Sequence, residues 1–138
     1  MFLLDTNVVS ELRRPERAAP QVRQWASTQA LSNFYLSAIT VLELELGVLR
    51  VERRDPSQGA MLRGWLEGQV LAQFAGRILP IDAEVARRCA ALHVPDPRAE
   101  RDALIAATAL VHGLSVATRN VADFTPTGVR TFNPWATE

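Results

Sequence analysis

At 138 residues with 48% apolar side chains, the chain has the size of one domain whose core needs neither disulfides nor structural metal, so a single domain over residues 1–138 is expected. No apolar run approaches the roughly 20 residues of a membrane-crossing helix, and Met1-Phe2-Leu3-Leu4-Asp5 has neither a basic leader nor a long apolar stretch, which leads to the expectation of a mature, cytoplasmic protein. The 15 Lys plus Arg balance the 15 Asp plus Glu, so bulk charge makes no case for nucleic-acid binding, and the lone Cys89, which cannot form an internal disulfide, reads as a packing residue.

Phe2-Leu3-Leu4 is a short continuous apolar run, the pattern of a strand buried on both faces, and it stops at the helix-capping residues Asp5-Thr6-Asn7. A helix through Val8, Val9 and Leu12 follows until Pro15, and Pro20 opens another through Val22 and Trp25. Phe34-Tyr35-Leu36 is the second strand candidate, with Ser37 as the cap of a helix over 38–54. Met61, Leu62, Trp65, Leu66, Val70 and Phe74 recur at helical spacing over 57–74, and Gly76 breaks the run. Arg77-Ile78-Leu79 is the third strand candidate. A helix from Asp82 to His93, a loop at Pro95-Asp96-Pro97 and a helix from Glu100 to His112, closed by Gly113, come next. Leu114–Thr118 and Val129–Phe132 are the fourth and fifth strand candidates. This alternation predicts a mainly parallel sheet with helices on both faces, whose functional groups gather beyond the C-terminal strand ends.

Acidic residues mark those ends. Asp5 ends the first strand, and Asp123 follows the fourth in a polar turn. Glu43 shares helical spacing with Ile39, Leu42, Leu46 and Leu49, at the edge of that apolar face, whereas Glu45 falls farther round and reads as a solvated charge. Asp102 stands in the first turn of a helix whose same face carries Ile105, Ala106 and Ala109. Each acid alone has a plainer reading: a cap at Asp5, a helix-dipole partner at Asp102, a loop acid at Asp123. Converging at one end of a sheet, they repel one another unless a cation is present. Mg²⁺ or Mn²⁺ suits an all-oxygen set, and His93 and His112 have no zinc spacing. Such an ion lowers the pKa of a water and neutralises charge on a phosphate, the two needs of phosphodiester hydrolysis. Thr6, Asn7, Thr118 and Asn120 are expected to support the carboxylates, and Arg119 is placed for phosphate.

The stretches Leu3-Leu-Asp-Thr-Asn-Val-Val-Ser-Glu11, Leu36–Leu44 with Gly47, Asp102–Ala109 and Val116–Phe124 together resemble the PIN-domain family, with the closest look to VapC- and FitB-type toxins. The likeness spans nearly the whole chain, to Phe132-Asn-Pro-Trp135. It implies a PIN-like α/β/α sandwich and a Mg²⁺- or Mn²⁺-dependent ribonuclease. It also implies a homodimer neutralised by a cognate antitoxin in a type II toxin–antitoxin system, touching operator DNA only through that antitoxin. The family's first three acids match Asp5, Glu43 and Asp102; the fourth falls on Asn120 or Asp123, with Asp123 taken as the metal-side acid and Asn120 as support. Catalytic and metal-holding roles are therefore expected at Asp5, Glu43, Asp102 and Asp123. Two other functions compete: a component of a DNA-bound regulatory complex with little nuclease activity, and a phosphatase using Asp5 as nucleophile. Partner binding is expected on the early helices around Trp25 and Leu49, with an antitoxin Arg or Lys reaching the acidic pocket.

Overall fold

The computed structural model describes residues 1–136. Strands β1 (Phe2–Leu4), β2 (Phe34–Ser37), β3 (Ile78–Leu79), β4 (Ser115–Ala117) and β5 (Thr131–Phe132) form one sheet in the order β3-β2-β1-β4-β5, every neighbouring pair parallel. Parallel neighbours require crossovers. These are made by α1 (Thr6–Glu11) and α2 (Pro20–Ser27), then α3 (Ala38–Arg54), α4 (Pro56–Trp65) and α5 (Leu71–Gln73), then α6 (Ala83–Leu92) and α7 (Glu100–His112), and last α8 (Val121–Phe124).

Alternation along the short strands sends successive side chains to opposite layers. Leu4, Leu36 and Ala117 pack with Val8, Leu44 and Val48 on one face, while Leu3 and Val116 pack with Ile105, Ala106 and Ala109 on the other. The small residues of α7 let it lie close against the sheet, and α6 closes over it through Val85 and the buried Cys89. The result is the expected α/β/α sandwich. Local chemistry sets the boundaries: Ser37 Oγ accepts from Ile39 N at 3.0 Å to start α3, Asp82 Oδ1 accepts from Val85 N at 3.0 Å to start α6, and Gly113, at φ 69°, turns the chain out of α7. Among the described residues no helix is long and apolar enough to cross a membrane.

Two expectations need correction. The helix over 57–74 is interrupted by a π-helical turn, Leu66–Val70, that buries Leu66 and Val70 between α4 and α5. Helix α3 buries Ile39, Thr40, Leu44 and Val48, leaving Leu42 and Leu49 exposed, because apolar residues surround much of this helix and its spacing alone does not select the face. Glu45 lies off the buried face as expected, its side chain 41% exposed and paired with Arg63 at 2.7 Å. Trp25 is half-buried: it meets Phe2 edge-on at 5.2 Å between centroids and packs against Phe34 and Phe132.

Candidate active site

Asp5 is fixed from several directions. Its backbone N–H donates to the Ala117 carbonyl at 2.9 Å, tying the end of β1 to β4. Its Oδ1 accepts the Thr6 N–H at 2.9 Å, capping α1, and its Oδ2 accepts the Thr118 hydroxyl at 2.8 Å and Asn7 Nδ2 at 3.4 Å. The carboxylate is nearly buried, at 7% exposure. Burial pushes its pKa above the usual aspartate value; the bonds from Thr118 and Thr6 pull it back, and the charges of Glu43 and Asp123 push it up again.

Helix α3 brings Glu43 to the same end of the sheet, where Oε1 accepts the Thr6 hydroxyl at 2.6 Å. Thr6 therefore serves two acids, Asp5 through its backbone and Glu43 through its side chain. Asp102, in the first turn of α7, has its pKa raised by burial and then by the charges of Asp5, Asp123 and Glu43. Asp123 lies on the short helix α8 instead of in the expected polar turn, exposed but close enough to act electrostatically on both Asp5 and Asp102. The structure thus brings all four predicted acids to the C-terminal ends of β1 and β4.

Three of the four supporting residues, Asn7, Thr118 and Asn120, meet at one hydroxyl, while Thr6 bonds Asp5 and Glu43 directly. Thr118, fully buried, donates to Asp5 while accepting the Asn120 N–H at 2.9 Å and Asn7 Nδ2 at 3.5 Å. Asn7 Oδ1 in turn accepts the Arg119 N–H at 3.4 Å. Asn120 acts on this network through its backbone, with its side chain exposed and making no cap to α8. The exposed Arg119 guanidinium lies over the Trp135 ring at 5.3 Å from its centroid, a cation–π contact. Sequence reasoning passed over Arg101, whose guanidinium is 3.7 Å from Glu43 and half exposed. Its position beside Asp102, at the helix start, was the available signal.

Four carboxylates against one loosely held cation leave the site short of positive charge. Among the described residues, no three His, Cys, Asp or Glu side chains lie at direct-ligand spacing. The donors are all oxygens, and the most rigid, Asp5, has both carboxylate oxygens oriented by the protein. Such a set suits a hard cation that takes one or two carboxylates and keeps several of its waters.

Comparison with known proteins gives a consistent pattern. The PIN domain family model matches residues 2–124. The chain is 39% identical to the VapC ribonuclease Y4jK of Sinorhizobium fredii, over 98% of both chains. It is 44% identical to the toxin FitB of Neisseria gonorrhoeae, over 98% of this chain and 99% of that protein. Among solved structures it is similar to a chain of FitAB bound to an IR36 DNA fragment, with a TM-score of 0.90 and 40% identity over 100% of this chain and 98% of the other.

Proposed function

The chain belongs to the PIN-domain family, among the VapC- and FitB-type toxins of type II toxin–antitoxin systems, and from that premise we propose that it is a metal-dependent endoribonuclease using Asp5, Glu43, Asp102 and Asp123. The observation that carries this reading is the mutual electrostatic pressure among these acids at the strand ends, where a carboxylate cluster lacks the cations to balance it. The resemblance to a relative named as a ribonuclease supports the same chemistry.

In this reading Asp5 and Asp102 are the principal holders of Mg²⁺ or Mn²⁺, with Glu43 and Asp123 completing its surroundings. When bound, the ion supplies a lowered water pKa and neutralises charge that builds on the phosphate. Thr118 and the Thr6 N–H hold the Asp5 carboxylate in one orientation, so little reorganisation accompanies reaction. The Thr6 hydroxyl does the same for Glu43. A carboxylate of this cluster accepts the proton lost by the attacking water. The half-exposed Arg101 is placed to accompany an incoming phosphate.

The proposal extends to a cytoplasmic homodimer held inactive by a cognate antitoxin, with operator DNA reached only through that partner. A solved FitAB complex on DNA supports a second reading, in which the chain is mainly a component of a DNA-bound regulatory complex. Asp5→Asn separates the two. If the nuclease reading holds, the variant loses RNA cleavage and toxicity on expression but still binds antitoxin and, with it, operator DNA; if wild type and variant are equally inert toward RNA and both assemble on DNA, the regulatory reading replaces it.

A further inference from the structure

Next to the acids runs a groove of about 250 Å³ whose lining includes Thr6 and Glu43 together with Ser10, Arg13 and Trp65. The groove thus borders the acidic site, and a guanidinium, a half-buried indole and the apolar side chains of Leu44, Val48, Val51 and Leu62 also line it. Arg13 follows the end of α1, where Arg14 and Arg17 crowd it; burial and these neighbouring charges push its pKa down. Among the described residues its side chain makes neither a salt bridge nor a hydrogen bond. Several other arginines have structural work. Arg63 is bound by Glu45, Glu52 and Glu67, Arg77 and Arg98 donate to backbone carbonyls, and Arg119 covers Trp135. Arg13 is a half-buried cation pressed by like charges and facing a groove, a state that a phosphate relieves through charge-assisted hydrogen bonds.

Resting on the ribonuclease reading, we infer that this groove is a nucleotide subsite for single-stranded RNA, in which Arg13 holds a backbone phosphate and Trp65 stacks a base beside the Glu43 end of the acidic site. A guanidinium paired with an aromatic face is the chemistry by which proteins hold unpaired nucleotides. The groove is smaller than the roughly 300–1,000 Å³ of clefts that enclose drug-sized ligands, which suits one nucleotide of a chain that continues past it. A larger groove of about 450 Å³ shares Arg13 and Trp65 but is lined by none of the four acids, so it does not lead a substrate to the chemistry. A peptide in the smaller groove has to bring its own carboxylate to satisfy Arg13, whereas every nucleotide of an RNA carries the needed anion.

The test is binding of a short, fluorescently labelled 2′-O-methyl single-stranded RNA, followed by anisotropy in Mg²⁺ over a range of salt, with cleavage of the unmodified RNA measured in parallel. Trp65→Leu should weaken binding roughly 5- to 100-fold while Trp65→Phe retains most of it. Arg13→Gln should weaken binding and reduce the slope of log affinity against log salt by about 0.7. Because Trp65 also packs against the core, thermal melts accompany both changes, and Arg13→Gln decides the matter if Trp65→Leu misfolds. Wild-type binding and cleavage with undiminished RNA affinity in Arg13→Gln and Trp65→Leu would overturn the subsite while leaving the nuclease reading intact. Undiminished RNA affinity together with weaker neutralisation by antitoxin would overturn it too, by assigning the groove to a protein. A wild type that neither binds nor cuts RNA would remove both readings.

Discussion

Thr118 shows how much of the site depends on one neutral hydroxyl. It is buried, donates to Asp5 and accepts from Asn120 and Asn7. Thr118→Val keeps the shape and removes these bonds, so kcat/KM for RNA cleavage should fall about 10- to 100-fold, the usual cost of losing an outer partner of a metal-site ligand. Thr118 lowers the Asp5 pKa, so its loss lets burial raise that pKa further. If ionised Asp5 is required, the acid limb of the pH–rate profile should move to higher pH in the variant, and an unmoved limb would assign Thr118 only a packing role. Thr40 presents the opposite case: its hydroxyl is buried in α3 without a partner among the described residues. Thr40→Val should leave the fold intact and raise stability in urea unfolding by about 1 kcal/mol, by removing an unsatisfied polar group. The placement of two acids was legible because Asp5 stands where a strand ends and Asp102 where a helix begins, whereas Glu43 lies within α3, whose buried face its spacing did not select. The sequence did not reveal that Thr6 spans Asp5 and Glu43, or that Arg119 turns onto Trp135, because such choices depend on side chains far apart in the chain.

Among the elements, α3 and α4 are bound both by apolar packing and by Arg63, which reaches Glu45 and Glu52 across the pair. They pack tightly at Gly59, where an added Cβ would lie 2.5 Å from the Glu52 Cα. Gly59→Ala gains helix propensity but must force the helices apart, and overpacking of this kind costs roughly 1–3 kcal/mol. A lowered urea midpoint with unchanged slope is the expected result; an unchanged or higher midpoint would mean that the helices separate freely there. Strands and most helix ends were legible because their signals are local: apolar triplets, Pro20, Ser37, Asp82 and Gly113. The buried face of α3 was not, since Leu42, Leu46 and Leu49 have the same helical periodicity as the residues that face the core. The π-helical turn at Leu66–Val70 was equally hidden, because widening one turn preserves an apolar run while changing its register.

For the whole molecule, the site is a source of instability that folding tolerates. Asp5 and Asp102 have pKa values raised above 3.8 in the folded protein, so the folded state holds protons that the unfolded chain has released. Their contribution is most favourable below the unfolded value and is lost as pH rises through the raised folded pKa, leaving a penalty at neutral pH. Asp102→Asn should therefore melt higher than wild type at pH 7 without divalent metal, with each kcal/mol of relieved repulsion giving roughly 2–4 °C or somewhat more in a chain of this size. Mg²⁺ should raise the wild-type Tm and have a smaller effect on the variant, because a ligand that binds the folded state stabilises it by mass action. A lower Tm for metal-free Asp102→Asn would show that the carboxylate is a net structural asset.

The most direct test of the central claim is cleavage of total RNA by the purified chain in Mg²⁺ or Mn²⁺ and in EDTA, alongside Asp5→Asn and Asp102→Asn. The expected result is cutting that requires the metal and is lost by at least about 100-fold in both variants, in keeping with removal of a principal charge from a preorganised site. Equal cutting by wild type and both variants, or cutting that persists undiminished in EDTA, would contradict it.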